Sequence, residues 1–389
     1  MKKILIFIPF FLYAGILSDL KQKEFNLDAL KSIKKSDETE KSWINPIMLQ
    51  YSYTRDNTQG VLTKTNLFSV SINQPIFKTG AIYYSIKYAK TSRSYNLKQI
   101  EIQKRFLIKQ ALDLAFDYKI NELNKKILYY QIQNAEITVK RKKEAFLSGT
   151  GDSSDLDNAI LSLNNLKLSL YDIKIAQNDL KYAFSNISDL DIEKVKLPKF
   201  KILNKDEYLN NNLQLLSQKK YKKIAFYLYK MQTGNQLLTI SINGSYNYQQ
   251  TENKNRSDKQ NYYTYGISAT LPIDINAKDR IEQTKLEYMK SALLVNDKKR
   301  ELINSFERII KDINYIEKKI KIYNQNIKIY ENLINSTKES LKAGSATVYD
   351  LQILENSKKT LELNKKILSL KIQKQLLNLY YLQTGFVKE

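Results

Sequence analysis

Alternating apolar and polar positions predict two pairs of strands in this chain. In the stretch "TNLFSVSINQPIF", residues Phe68, Val70 and Ile72 share one face, while small polar residues between them share the other. The same period of two recurs in "LLTISINGSYNYQQ" and "YYTYGISATLPID". The polar stretches "RDNTQGVLTK" and "TENKNRSDKQN" are expected to be external loops. The predicted strands are residues 43–54 and 66–77 in the first pair, and 237–250 and 262–274 in the second.

A period of three to four residues predicts long helices after each strand pair. One helical hairpin is predicted over residues 80–186 and a second over residues 277–382, with little Pro or Gly to interrupt them. The second hairpin carries apolar residues at alternating steps of four and three, which is a coiled-coil heptad. The residues of this seam are Ile309, Ile313, Ile316, Ile320, Tyr323, Ile327, Tyr330 and Ile334.

The two predicted hairpins turn at similar sequences. In "KEAFLSGTGDSSDLDNAIL" and "KESLKAGSATVYDLQILEN" a Gly precedes an Asp-Leu pair by six residues, and the two stretches lie 195 residues apart. Because the strand pairs recur at nearly the same offset, we interpret the chain as a duplicated unit of strand, strand, long helix and helix. The predicted divisions are a signal peptide at 1–18, a first repeat at 19–190, a linker and helix at 191–236, and a second repeat at 237–389.

The N-terminus has the pattern of a secretory signal peptide. Lys2 and Lys3 precede an apolar stretch from Ile4 to Leu17, which is too short to span a bilayer comfortably. Cleavage is expected near Ser18, with a retained anchor as the alternative. No run of about 18 apolar residues follows, so the sequence predicts no transmembrane helix in the mature chain.

Composition excludes several kinds of chemistry. The chain has no Cys and no His, which removes thiol chemistry, Cys/His metal sites and histidine acid–base catalysis. There is no phosphate-binding loop or nucleophile motif, so no enzyme, cofactor or metal site is predicted. The formal net charge of +23 can indicate a nucleic acid partner. Since the basic residues are spread along the whole chain and Arg is scarce, we interpret the charge as compositional and predict no nucleic acid partner.

The predicted strands have the length that a membrane-crossing strand needs, about 9–11 residues. Periodicity alone does not separate a lipid-facing sheet from the core of a soluble sandwich. Four strands cannot close a membrane barrel, because the smallest barrels have about eight, and lipid does not tolerate an unpaired sheet edge. If the strands cross a membrane, several copies must therefore share one barrel, and three copies would supply twelve strands.

These features together resemble the outer membrane efflux protein family of TolC-like channels. The resemblance rests on "QPIFKTG" and "LPIDINA" at the strand-to-helix joins, on the two Gly-x5-Asp-Leu turns, and on the final helix "LQILENSKKTLELNKKILSLKIQKQLLNLYYLQTG". It implies a mainly α fold with β strands, in which a homotrimer forms a 12-stranded outer-membrane β-barrel continued by a periplasmic α-helical coiled-coil barrel. It also implies an exit duct, without chemistry of its own, for small molecules or proteins in efflux or type I secretion. The implied partners are an inner-membrane transporter, a periplasmic adaptor (membrane fusion protein) and outer-membrane lipid.

The resemblance also assigns expected roles to individual residues. The periplasmic tip, where the adaptor would dock, contains Gly149, Leu156, Gly344 and Leu351. Asp155 and Asp350 would be constriction acids, although an acid in the first turn of a helix is equally explained by the helix dipole. The aromatic residues expected at the membrane interface are Trp43, Tyr51, Tyr53, Tyr246, Tyr248, Tyr263 and Tyr265.

The sequence departs from the family pattern at three tip positions. Ile353 stands where a second ring aspartate is expected, Ala346 where a gate arginine is expected, and Leu341 where a gate tyrosine is expected. We therefore assign no gating role to these residues. The alternative function is a periplasmic adaptor or coiled-coil scaffold without its own pore. An adaptor usually has one hairpin, whereas this chain has two hairpins and two strand pairs.

Overall fold

The computed structural model describes residues 15–58, 60–253 and 256–386. Most of the predicted signal peptide, residues 1–14, lies outside the described residues. The order of elements is strand, strand, long helix and shorter helix, and this order occurs twice. The helices are α1 (Asp19–Lys41), α2 (Ala81–Leu147), α3 (Ser153–Ser185), α4 (Lys205–Asn210), α5 (Leu213–Asn235), α6 (Ala277–Lys342) and α7 (Val348–Tyr380), with a 3-10 turn at Ile192–Lys194. The strands are β1 (Met48–Thr58), β2 (Val61–Lys78), β3 (Thr239–Asn253) and β4 (Arg256–Thr270).

The four strands form one antiparallel sheet in the order β1-β2-β3-β4. The polar stretches that the sequence predicts as loops are largely strand, and this prediction is wrong. Arg55 pairs with Lys64, and Glu252 pairs with Ser257, so each hairpin continues almost to its turn. Backbone pairing does not require apolar side chains, and alternation therefore marks only the apolar part of each strand.

The outer ends of two predicted strands also differ. Residues 43–47 precede β1 and are held by side chains, because the Asn45 N–H donates to Gln74 Oε1 at 2.9 Å and Gln74 Nε2 donates to the Trp43 carbonyl at 3.1 Å. Residues 271–274 follow β4, and Asp274 Oδ1 accepts from the Asn276 N–H at 2.8 Å just before α6. In both segments, hydrogen bonds that involve side chains replace the backbone hydrogen bonds of the sheet.

The chain divides into two compact units, which are described separately. One unit consists of Asn26–Ile100 and Gln214–Lys299, and it contains the sheet. Inside it the Ser36 hydroxyl donates to the Ala89 carbonyl at 3.0 Å, which joins α1 to α2. The other unit consists of Met1–Phe25, Glu101–Leu213 and Arg300–Glu389. It contains the helix-to-helix turns of both hairpins, and we call it the helical unit.

The helical unit is held together by α2, which packs against two other helices. One buried cluster joins Ile120 and Ile127 on α2 to Ile367 on α7. A second cluster joins Ile132 on α2 to Leu163 and Leu170 on α3, and these contacts close the first hairpin. Along α6, the heptad residues from Ile309 to Ile334 are buried or half-buried, while their neighbours are mostly exposed. Among the described residues, no helix is both long and apolar enough to cross a membrane.

Candidate functional site

The helix-to-helix turns of the two hairpins have the same backbone structure. Gly149 after α2 and Gly344 after α6 have φ angles of +74° and +75°, in the left-handed region that glycine adopts at low cost. The next residue donates its N–H to a carbonyl five residues earlier in each turn: Thr150 to Ala145 and Ser345 to Ser340, both at 2.9 Å. These bonds satisfy carbonyls that the end of a helix leaves without a partner. The glycines are therefore required by the turn geometry.

The helix that follows each turn begins with a side-chain cap. Asp152 caps α3 and accepts from the Ser154 N–H at 3.2 Å, a contact that lowers the pKa of Asp152. Thr347 caps α7 in a reciprocal capping box, in which the Asp350 N–H donates to Thr347 Oγ1 at 3.3 Å and the Thr347 N–H donates to Asp350 Oδ2 at 2.9 Å. Asp350 therefore contributes directly to the start of α7.

Asp350 also joins the second hairpin to the first. Arg141, near the end of α2, donates to Asp350 Oδ1 at 2.7 Å and to Thr347 Oγ1 at 2.8 Å. Beside this pair, Lys140 Nζ contacts the Tyr349 hydroxyl and lies 4.9 Å from the centre of its ring. Hydrogen bonds from Thr347, followed by those from Arg141, lower the pKa of Asp350 to about 2. The carboxylate is thus ionised and already paired with a cation of its own chain.

The other tip residues predicted from the sequence occupy simpler positions. Asp155 is exposed in the first turn of α3 and forms an ion pair with Lys142 of α2. Leu156 and Leu351 are half-buried directly after the two aspartates, and both turn glycines are exposed. The structure therefore brings Asp350 together with Thr347 and Arg141, whereas Asp155 contacts a lysine within its own hairpin.

The positions that depart from the family pattern have structural roles of their own. Leu341 is half-buried and its carbonyl accepts from the Gly344 N–H at 3.1 Å. Ala346 is half-buried within the turn. Ile353 is half-buried on α7, next to a polar pair in which Asn356 Nδ2 donates to Asn134 Oδ1 at 2.9 Å. Asn356 is buried, so this pair fixes the register between α2 and α7 in the way that a polar seam residue does in a coiled coil.

Some tip residues were not predicted from the sequence. Arg141 is one of them, because nothing in its local sequence points to a partner in the other repeat. Three apolar side chains at the turns are exposed: Phe146, Leu147 and Val348. Their position in the sequence indicates this exposure, because an apolar residue that directly flanks a helix-to-helix turn has no neighbouring helix beyond the turn to pack against. We call Phe146, Leu147 and Val348 the tip patch.

The sheet carries a second candidate surface. Directly opposed residues of neighbouring strands share a face, and one such row runs Leu49, Val70, Tyr246 and Tyr263 across all four strands. Six of the predicted interface aromatics lie on this face: Tyr51, Tyr53, Tyr246, Tyr248, Tyr263 and Tyr265. Trp43 does not, because it lies before β1.

The opposite face of the sheet is small and polar. On it Asn243 Nδ2 donates to Ser268 Oγ at 2.9 Å, and the hydroxyls of Ser245 and Thr264 are 2.8 Å apart. Many apolar-face side chains are exposed, among them Leu49, Tyr265 and Ile267. An exposed apolar face of this extent marks a surface that is covered by a membrane or by another protein. No group of acidic residues that could hold a metal ion occurs in the described part of the chain.

Comparison with known proteins connects these surfaces to a family. The sequence model described as "Outer membrane efflux protein" matches residues 205–382, from α4 to just beyond α7. No curated protein matches the chain in sequence. The family match confirms the predicted resemblance and the predicted location, the outer membrane with a helical extension into the periplasm. This is a family of channels rather than of enzymes.

Solved structures share the fold over nearly the whole chain. The outer membrane protein VceC from Vibrio cholerae is 10% identical with a TM-score of 0.74, and the match covers 92% of this chain and 93% of that one. The outer-membrane channel OprN is 11% identical with a TM-score of 0.76, covering 95% and 87%. The CmeC outer membrane channel of Campylobacter jejuni is 15% identical with a TM-score of 0.74, covering 96% and 84%. At these identities the likeness establishes the mainly helical fold with its strands.

Proposed function

We propose, on the premise that the chain is an outer-membrane channel of the efflux protein family, that three copies form one exit duct. The twelve strands of the three copies would make a barrel in the outer membrane, and their helices would line a periplasmic tunnel. Cargo delivered by an inner-membrane transporter and a periplasmic adaptor would leave the cell through this duct. The cargo would be a small molecule, as in efflux, or a protein, as in type I secretion.

The observation that carries the proposal is the sheet, which has an exposed apolar face and two edge strands. β1 and β4 lie at the two edges of the sheet, so within the part of the chain that the structure describes each pairs with one neighbouring strand only. Strands of 11 to 18 residues are long enough to cross a bilayer at a tilt. In lipid, each edge strand must pair with another strand, because an unsatisfied backbone group costs several kcal/mol there. Pairing of β4 in one copy with β1 in the next would satisfy the backbone hydrogen bonds of both edge strands.

The helical unit supports the same association. Exposed apolar residues recur every seven positions on α3, at Leu161, Leu168, Ile175 and Tyr182. They recur with the same spacing on α6, at Tyr315, Ile322 and Ile329. A heptad stripe that is exposed in one chain is the expected seam of a coiled coil with another chain. We therefore assign these two stripes to contacts between neighbouring copies.

The hairpin turns are proposed as the end of the duct that meets the adaptor. Gly149, Gly344, Leu156 and Leu351 stay proposed tip residues, to which the exposed tip patch of Phe146, Leu147 and Val348 is now added as an apolar docking surface. Asp155 and Asp350 stay proposed constriction acids. Since each is paired with a cation of its own chain, the constriction would present ion pairs rather than bare carboxylates.

A planar-bilayer recording tests the proposed duct. Protein purified in detergent from the outer-membrane fraction is expected to insert and to give discrete conductance steps. Such steps would be absent if the chain were a periplasmic adaptor or a coiled-coil scaffold. Recovery of the protein only in the soluble periplasmic fraction, without conductance after reconstitution, would support that alternative. A mock purification from cells without the gene provides the control for porin contamination.

A further inference from the structure

The residues just before α1 are packed into the helical unit. The exposed fractions of Ile16 and Leu17 are 2% each, and that of Ser18 is 7%. The Ser18 N–H donates to the Ile187 carbonyl, in the link after α3, at 2.9 Å. Gly15 is exposed, and a Cβ atom added to it would meet nothing within 4 Å. Among the described residues, burial therefore begins at Ile16.

These residues also complete the first turn of α1. Ser18 is positioned as its N-cap, because its carbonyl accepts from the Gln22 N–H at 3.0 Å and its hydroxyl oxygen accepts from the Lys21 N–H at 3.3 Å. Gln22 Nε2 donates to the Leu17 carbonyl at 2.8 Å. The segment Ile16–Ser18 is therefore both a helix cap and a buried apolar anchor.

The contacts bear on where the predicted signal peptide is removed. Cleavage after Ser18 would delete the cap, two buried apolar side chains and the backbone bond to Ile187. It would also turn the Asp19 N–H, which donates to Asp189 Oδ2 at 2.9 Å, into a charged amino group beside that carboxylate. An exposed ion pair contributes little to stability, so this gain does not offset the loss of the packed segment.

We infer that signal peptidase cuts upstream of Ile16, after Ala14 or Gly15, and that the mature chain keeps Ile16–Ser18 as a buried N-terminal anchor. Both candidate bonds follow a small residue at the end of the apolar stretch, which is one element of a signal cleavage site. The step is hydrolysis of one peptide bond by water, which leaves a carboxylate on the leader and an amino group on Gly15 or Ile16. The inference rests on the predicted signal peptide and goes beyond the proposed duct.

The N-terminus of the protein made with its own leader tests the inference. The full-length gene is expressed in a bacterium with two membranes, and the outer-membrane protein is analysed by intact mass and N-terminal sequencing. The expected first residue is Gly15 or Ile16. A first residue of Asp19 or later, or retention of Met1, would overturn the inference. Failure of the proposed duct would appear separately, as absence of conductance from a correctly processed protein.

A matched pair of variants tests the anchor itself. Leu17→Asn places an amide at a buried position, whereas Leu20→Asn changes a leucine that is 80% exposed only three residues later. Leu17→Asn is expected to lower the thermal midpoint of the purified protein by several degrees, and Leu20→Asn to leave it unchanged. Equal midpoints would contradict the anchoring role. Intact mass of both variants shows whether processing is unchanged, so that lost packing is not confused with a shifted cleavage site.

Discussion

Arg141 on α2 and Asp350 on α7 are 209 residues apart in the chain, and their side chains meet at 2.7 Å beside the two hairpin turns. Lys142 and Asp155 form a second ion pair within the first hairpin. The contact between Arg141 and Asp350 therefore differs in kind, since it ties one repeat to the other at the proposed periplasmic end. Through its bonds to Asp350 and Thr347, the Arg141 guanidinium holds the start of α7 against the end of α2.

Removal of that guanidinium is expected to loosen the tip. In Arg141→Met, the capping box with Thr347 would remain, but α2 and α7 would lose the ion pair that joins them beside the turns. We expect a higher single-channel conductance than that of the unchanged protein in planar bilayers. Arg308→Met is the control, because Arg308 pairs with Asp312 along the same helix. Equal conductance of Arg141→Met and the unchanged protein would show that this pair does not restrain the tip.

The same pair predicts how the tip responds to pH. Hydrogen bonds from Thr347 and Arg141 lower the pKa of Asp350 from 3.8 to about 2. A carboxyl with a lowered pKa stabilises the folded state fully above its unfolded value, and this contribution is lost as the pH falls through the folded value. Conductance of the unchanged protein should therefore not vary through titration of Asp350 between about pH 8 and pH 5. A step in conductance within that range that Asp350→Asn abolishes would contradict this assignment.

The turn glycine Gly344 is predicted to be intolerant of a side chain. Its φ angle of +75° is unfavourable for an L-residue with a Cβ, although nothing lies within 4 Å of the added atom. Gly344→Ala should therefore destabilise the protein by about 1–2 kcal/mol through backbone strain alone. Gly266→Ala is the control, because its position is equally open and has no positive φ. Equilibrium denaturation in detergent, followed by circular dichroism, measures the free energy of unfolding of both variants. An equal loss of stability in the two would show that backbone strain at Gly344 is not the cause.

Two tyrosines of β4 test which face of the sheet meets lipid. Tyr265 lies opposite Gly244 on the apolar face and is 85% exposed, whereas Tyr262 lies opposite Asn247 on the polar face and is 43% exposed. A lysine on the lipid face costs about 2–4 kcal/mol at the bilayer midplane and less near the interfaces. Tyr265→Lys should therefore reduce the amount of protein in the outer-membrane fraction, while Tyr262→Lys should not. The reverse order of the two variants would place the polar face against lipid.

Sequence periodicity predicts the parts of this fold that depend on local patterns. The heptad on α6 identifies Ile309 and Ile313, which are buried, because helical packing selects apolar residues at fixed spacing. The sequence predicts loops at the polar ends of the hairpins, such as the pair Arg55 and Lys64, because the side chains there do not alternate between apolar and polar. In those segments the strand is formed by backbone hydrogen bonds, and these do not depend on a pattern of side chains that the sequence could reveal.

The tip shows the same division between local and distant information. Gly149 and Gly344 are predictable, because a sharp helix-to-helix turn favours glycine. The capping role of Asp350 is also local, since Thr347 precedes it by three residues. Its contact with Arg141 depends on how the two repeats pack, and no spacing in the sequence encodes it. The same limit applies to Asn134 and Asn356, which meet across 222 residues.

The number of chains in the complex tests the shared barrel most directly. Native mass spectrometry of the detergent-extracted outer-membrane protein measures it without any substitution. Three chains are predicted, since three four-stranded sheets supply the twelve strands of one closed barrel. A complex of one, two or four chains would contradict the proposal that three copies share a single barrel.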